Sequence, residues 1–161
     1  MSFRIFIVDD DPAMVEMTKD FLLSRYADSE IFSFATGETA LAELYRKPEV
    51  IILDYHLDSV ERKAMNGIEV LRRIKELLPS VPVIFISANE KPEIAANTIK
   101  YGAYDYITKN ESAFQRLEIM INNSTGHFSA QRQLKTQRIF NLVLVILLVA
   151  MVAGFFISQL L

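Results

Sequence analysis

Four short apolar runs in this chain each stop at a residue able to do chemistry. Phe3 to Val8 leads into Asp9-Asp10-Asp11. Val50-Ile51-Ile52-Leu53 ends on Asp54, Val83 to Ile86 ends on Ser87, and Asp105 to Thr108 ends on Lys109. Unbroken runs rich in Val and Ile predict strands buried on both faces. Ile31 to Phe34 supplies one more strand. Between the strands the apolar spacing turns helical. Asp11 and Pro12 form a start signal ahead of Val15, Phe21, Leu22 and Tyr26. Thr36 caps a segment with Ala40, Leu41 and Leu44 on one stripe, stopped by Pro48. Asn66-Gly67 is a turn, followed by Ile68, Leu71, Ile74, Leu77 and Leu78 and then Pro79. Pro92 opens a helix to Tyr101, with Gly102 suited to its C-cap, and Phe114, Leu117, Glu118 and Ile121 predict a fifth helix. Alternating strands and helices predict an α/β fold, a doubly wound parallel sheet with helices on both faces. In such a sheet ligands bind at the carboxyl ends of the strands. The four strand ends are therefore expected to converge.

The other end of the chain has a different pattern. Ile139 to Leu161 carries no charge, and only Asn141, Ser158 and Gln159 are strongly polar. As a helix it would be about 35 Å long, enough for a hydrocarbon core of about 30 Å. The competing reading, a buried core helix, requires a small domain to cover an apolar surface on all sides. Arg132, Lys135 and Arg138 precede the segment. They predict that residues 1–138 face the cytoplasm, and they suit contact with anionic lipid. Asn122 to Gly126 reads as a linker, and Ser129 as the cap of a helix running into the membrane. The expected organisation is a folded domain over 1–122, a basic juxtamembrane segment over 123–138, and a single-pass transmembrane helix over 139–161 in the inner (cytoplasmic) membrane. No leader is expected at the start, and nothing folded beyond the helix. Ala150, Gly154 and Ser158 have the small-residue spacing that allows helices to approach closely, so a homodimer is one expectation.

Composition narrows the chemistry. The chain has no Cys and two His among 161 residues, which excludes disulfides and thiolate metal sites and disfavours zinc. All 20 acidic residues precede residue 122, and an acidic body argues against a nucleic-acid partner. Asp9, Asp10 and Asp54 in one cleft would repel one another unless a cation intervened. Hard oxygen ligands without Cys or clustered His point to Mg²⁺. A carboxylate beside that ion, a lysine and a small hydroxyl suits phosphoryl transfer, with Asp54 as the attacking group and an acyl phosphate as the product.

The stretches Ile7-Val8-Asp9-Asp10-Asp11-Pro12, Ile52-Leu53-Asp54-Tyr55, Phe85-Ile86-Ser87-Ala88 and Tyr106-Ile107-Thr108-Lys109 together resemble the receiver domain of two-component response regulators. The resemblance covers about residues 3–122. It implies a flavodoxin-like (βα)₅ fold with strand order 2-1-3-4-5. It implies that Asp54 accepts a phosphoryl group from a histidine kinase or phosphotransfer protein. It also implies that Asp9, Asp10, Asp54 and the backbone carbonyl of His56 hold Mg²⁺. Ser87 would bond the phosphoryl group, Lys109 would ion-pair with it, and Tyr106 would be the aromatic switch that swings inward. The signal would leave through the face of the fourth helix, fifth strand and fifth helix, to a downstream protein the sequence does not name. Three departures stand out. Asn110 follows Lys109 where a cis-bonded proline is usual. Gly67 lies thirteen residues after Asp54 rather than eight, and the usual proline of that loop is missing. A membrane segment stands where an output module often follows.

Singly, these residues have ordinary readings: a solvated turn and cap for Asp9-Asp10-Asp11, a surface lysine, a turn serine, a half-buried tyrosine. Their joint placement favours a site. His56 and Asn89 read as loop side chains or as groups near the phosphate that tune its hydrolysis. Two function classes follow. One is a membrane-anchored phosphoacceptor switch, not an enzyme acting on external substrates. The other is a phosphorylation-independent scaffold of the same fold. A hydrolase using Asp54 is disfavoured by the lack of a second acid or a cap domain.

Overall fold

The computed structural model describes residues 3–57 and 64–126, together with Leu144. Five parallel strands, β1 (Phe3–Val8), β2 (Ser29–Phe34), β3 (Val50–Asp54), β4 (Val83–Ser87) and β5 (Asp105–Thr108), form one sheet in the order 2-1-3-4-5. Helices α1 (Pro12–Arg25), α2 (Gly37–Ala42), α3 (Gly67–Leu77), α4 (Pro92–Lys100) and α5 (113–126) connect or follow them. Alternation along each strand sends side chains to two cores. Phe6, Val8, Ile51, Leu53 and Phe85 face one side with Val70, Leu71 and Ile74 of α3. Ile5, Ile7, Ile52, Ile84 and Ile107 face the other with Leu22 of α1 and Leu117 and Ile121 of α5. The central strands are buried on both faces, which is why β3 and β4 read as unbroken apolar runs.

The register places the chemistry. Val8 pairs with Leu53, Asp54 with Ile86, and Ser87 with Thr108. Asp9, Asp54, Ser87 and Lys109 thus emerge side by side at one edge of the sheet.

Local signals explain the helix ends. The Asp11 carboxylate accepts from the Ala13 amide, and Thr36 from Thr39. Asn66 and Glu69 form a reciprocal capping box at the start of α3. Gly102 takes φ +97° beyond the end of α4, a conformation that glycine adopts without strain.

Several expectations need correction. Strand β2 starts two residues earlier than its apolar core, at Ser29. Helix α2 ends at Ala42, and Leu44 belongs to a 3₁₀ turn closed by Lys47 in the left-handed region, so the chain turns before Pro48 is reached. Leu77 is 62% exposed, because the buried stripe of α3 runs through Val70, Leu71 and Ile74. Asn122 to Gly126 is no linker: α5 continues through it. Ser124 is buried and donates its hydroxyl hydrogen to the Ile121 carbonyl, and Asn122 accepts from the Tyr26 hydroxyl. The expected helix cap at Ser129, the basic residues Arg132, Lys135 and Arg138, and the apolar segment 139–161 lie outside the described residues, apart from a helical Leu144. Among the described residues, no helix is long and apolar enough to cross a membrane.

Candidate functional site

The site is built from the strand ends inward. Asp9 leaves β1 and is 3% exposed. One of its carboxylate oxygens accepts from the Asp11 amide at 3.0 Å, and the other accepts from the Lys109 ammonium at 2.9 Å. Asp54 closes β3. Its Oδ1 accepts from the Tyr55 amide at 2.8 Å, and its Oδ2 lies 3.4 Å from Lys109 Nζ. Asp10, half-buried, completes the cluster: the three carboxylates each offer an oxygen within 4.8 Å of the others. The predicted convergence of Asp9, Asp10, Asp54 and Lys109 is therefore seen in the geometry.

Electrostatics follow from this crowding. Burial raises the Asp54 carboxyl from an ordinary 3.8 to about 6; Asp9 adds to the rise and Lys109 opposes it. Burial alone would make Lys109 less basic. The Asp9 hydrogen bond and the charges of Asp54 and Asp9 outweigh it, and the ammonium is held above its usual range. Lys109 thus pairs with two of the clustered carboxylates, Asp9 and Asp54. A compact ion that prefers oxygen donors fits that donor set. Asp9, Asp10 and Asp54 form an acidic pocket with the oxygen donors that Mg²⁺ prefers.

Ser87 is fully buried at the end of β4. Its hydroxyl accepts from the Asn89 amide at 3.2 Å, and its carbonyl accepts from the Lys109 amide at 2.8 Å. This second bond locks the β5 end against β4. Tyr106 points inward, its ring stacked on Phe85 and its hydroxyl donating to the Asn89 carbonyl at 2.6 Å. Burial raises the phenol pKa, the Ser87 hydrogen bond opposes the rise, and Asp54 adds to it. Asn110 makes an Asx turn, accepting from both the amide and the hydroxyl of Ser112. No cis peptide bond occurs among the described residues.

His56 is exposed two residues after Asp54, with its ring edge-on to Tyr55 at 4.9 Å. It borders an open cleft of about 580 Å³ together with Asn89, Glu90 and Lys91. Two contributors were not legible as such in the sequence. Gly67 read as a turn and as a displaced loop glycine, not as a packing contact, yet a Cβ there would lie 2.5 Å from the Asp54 carbonyl oxygen, and its amide donates to the Tyr55 carbonyl. The Asn89 backbone carbonyl anchors Tyr106, a role that no side chain announces.

Comparison with known proteins agrees with this geometry. A family model described as response regulator receiver domain matches residues 5–122. The protein-glutamate methylesterase/protein-glutamine glutaminase of Bacillus subtilis is 38% identical over 109 residues, 66% of this chain and 29% of its own length. The receiver domain of NtrX from Brucella abortus superposes with a TM-score of 0.66 at 28% identity, covering 74% of this chain and 96% of that one. A chain of the CheX–CheY–BeF3–Mg²⁺ complex of Borrelia burgdorferi superposes with a TM-score of 0.65 at 25% identity, covering 75% and 87%. The chain spans less than half the length of the curated relatives it matches. With the strand order, the acidic cluster and the bridging lysine all in place, the chain belongs to the response regulator receiver domain family.

Proposed function

We propose that this protein is a phosphoacceptor switch held at the cytoplasmic membrane. A carboxylate oxygen of Asp54 attacks the phosphorus of a phosphohistidine on a histidine kinase or phosphotransfer protein. The P–N bond breaks, a P–O bond forms, and the departing imidazole takes up a proton. Asp9, Asp10, Asp54 and the backbone carbonyl of His56 would hold Mg²⁺, which supplies charge neutralisation for the transferring group. Lys109 pairs with the phosphoryl oxygens, and Ser87 donates a hydrogen bond to them. Hydrolysis of the acyl phosphate resets the carboxylate, so the protein turns over its own phosphoryl group and no external substrate. The Borrelia relative solved with BeF3 and Mg²⁺ supports this chemistry by analogy.

The observation that carries the reading is Lys109 bridging Asp9 at 2.9 Å and Asp54 at 3.4 Å within the three-carboxylate cluster. A phosphoryl group adds roughly −1.5 to −2 charge and three acceptor oxygens beside them. Ser87 and Lys109 respond from the loops before α4 and α5, and Tyr106 links the response to the α4–β5–α5 face, which a downstream protein reads. Residues 139–161 anchor the domain, Arg132, Lys135 and Arg138 meet anionic lipid, and the small-residue spacing at Gly154 supports a homodimer. Incubation of the full chain with a small phosphodonor and Mg²⁺ is expected to give an acid-stable, base-labile label. Label that persists in Asp54→Ala would end the proposal.

A further inference from the structure

The arm that returns from the β3–α3 loop is fastened at three points. The Met65 amide donates to the Glu38 carboxylate at 2.8 Å, across 27 residues of sequence. Asn66 and Glu69 close their capping box. The Gly67 amide donates to the Tyr55 carbonyl at 3.1 Å, with no room for a Cβ against Asp54. The first fastening comes from outside the loop and outside α3. Glu38 lies in the first turn of α2, beside Gly37, which packs directly on Val70 of α3. That turn follows the end of β2, where the Phe34 carbonyl accepts from the amide of Asp9. The backbone at Asp9 and the backbone at Asp54 are thus joined around the pocket through α2, and Glu38 is the side chain that closes the circuit. The twelve residues between Asp54 and Gly67 make a longer connection to close than a shorter loop would.

We infer that Glu38 is a positioning residue for the phosphoacceptor site: by holding Met65, it fixes Gly67 on the Asp54-Tyr55 backbone and so sets the geometry with which the strand end meets the divalent ion. This inference rests on the proposed function and names a residue acting through the backbone, not on the ion itself. The chemistry separates reach from charge. Glu38→Gln keeps an oxygen at the same reach, whereas Glu38→Asp keeps the charge and the acidic helix start but falls short of Met65.

The test uses the full chain in detergent, with Mg²⁺ binding followed by calorimetry and amide hydrogen exchange followed at Met65 and Gly67. Glu38→Asp is expected to speed exchange at both amides and to weaken Mg²⁺ binding. Glu38→Gln is expected to stay close to wild type in both. Unchanged binding and exchange in Glu38→Asp would overturn the inference while leaving the proposed function standing. Losses in Glu38→Gln as large as those in Glu38→Asp would overturn it, because an oxygen at full reach would not have sufficed, and losses in Glu38→Gln alone would overturn it in favour of a charge effect. A wild-type chain that binds no Mg²⁺ would overturn this inference and the proposed function together.

Discussion

Asp54 shows how one residue can be costly to the fold and necessary to the site. Its carboxyl is raised from 3.8 to about 6, chiefly by burial. A raised folded pKa means the stabilising contribution is complete below about pH 4 and is lost as pH climbs through 6. The difference corresponds to about 3 kcal/mol. Asp54→Asn is therefore expected to raise the thermal midpoint of the metal-free protein at pH 8 and to leave it unchanged at pH 3.5, as calorimetry would show. Lys109 has the opposite role. Removing its ammonium with Lys109→Met leaves Asp9 and Asp54 facing each other uncompensated, a loss of about 3 kcal/mol or more. Denaturant titration should show that loss, and added Mg²⁺ should recover part of it. At this scale the sequence was most legible, because Asp9, Asp54, Ser87 and Lys109 each follow an apolar run whose end is fixed by strand pairing. Backbone groups such as the Asn89 carbonyl were not legible, since every residue has one and only the folded chain selects which is used.

Among the elements, the start of α3 carries the most information per residue. Gly67→Ala would force a methyl group to 2.5 Å from the Asp54 carbonyl oxygen. The expected result is a loss of about 1–3 kcal/mol in denaturant titration, together with weaker Mg²⁺ binding, because the relief must come from the backbone that carries the phosphoacceptor. The Asn-Gly pair announced a turn but not what the turn rests on. The far end of the domain misled in the other direction. Asn122-Asn123-Ser124-Thr125-Gly126 has the composition of a linker, yet Ser124 and Thr125 satisfy their hydroxyls on the Ile121 carbonyl and the helix continues. Tyr26 and Arg25 reach across from α1 to Asn122 and Glu118. Tertiary contacts of this kind override composition. Tyr26→Phe is expected to cost about 1 kcal/mol and to speed amide exchange in residues 122–125 before it affects the core of α5.

For the whole molecule, alternating elements predict the parallel sheet, the resemblance to receiver domains supplies its strand order, and the two apolar faces follow from the period of two along β1. The span 139–161 is a separate question, posed by hydropathy alone. A chain of residues 1–161 is expected to stay with vesicles through alkaline carbonate extraction, and a chain ending at 125 to be released. Release of both would remove the membrane anchor from the proposed function without touching the chemistry at Asp54. Parallel pairing has one further consequence. Because every strand runs the same way, the amino ends form a rim of their own, where Arg4 donates its amide to Glu49 and pairs with it through the guanidinium. None of the reactive groups reaches that rim, and exposed Ser80 lies there just ahead of β4. A dye or a fused reporter attached at Ser80 would sit a full strand length from the reaction, on the insulated side of the molecule, and could watch it without taking part.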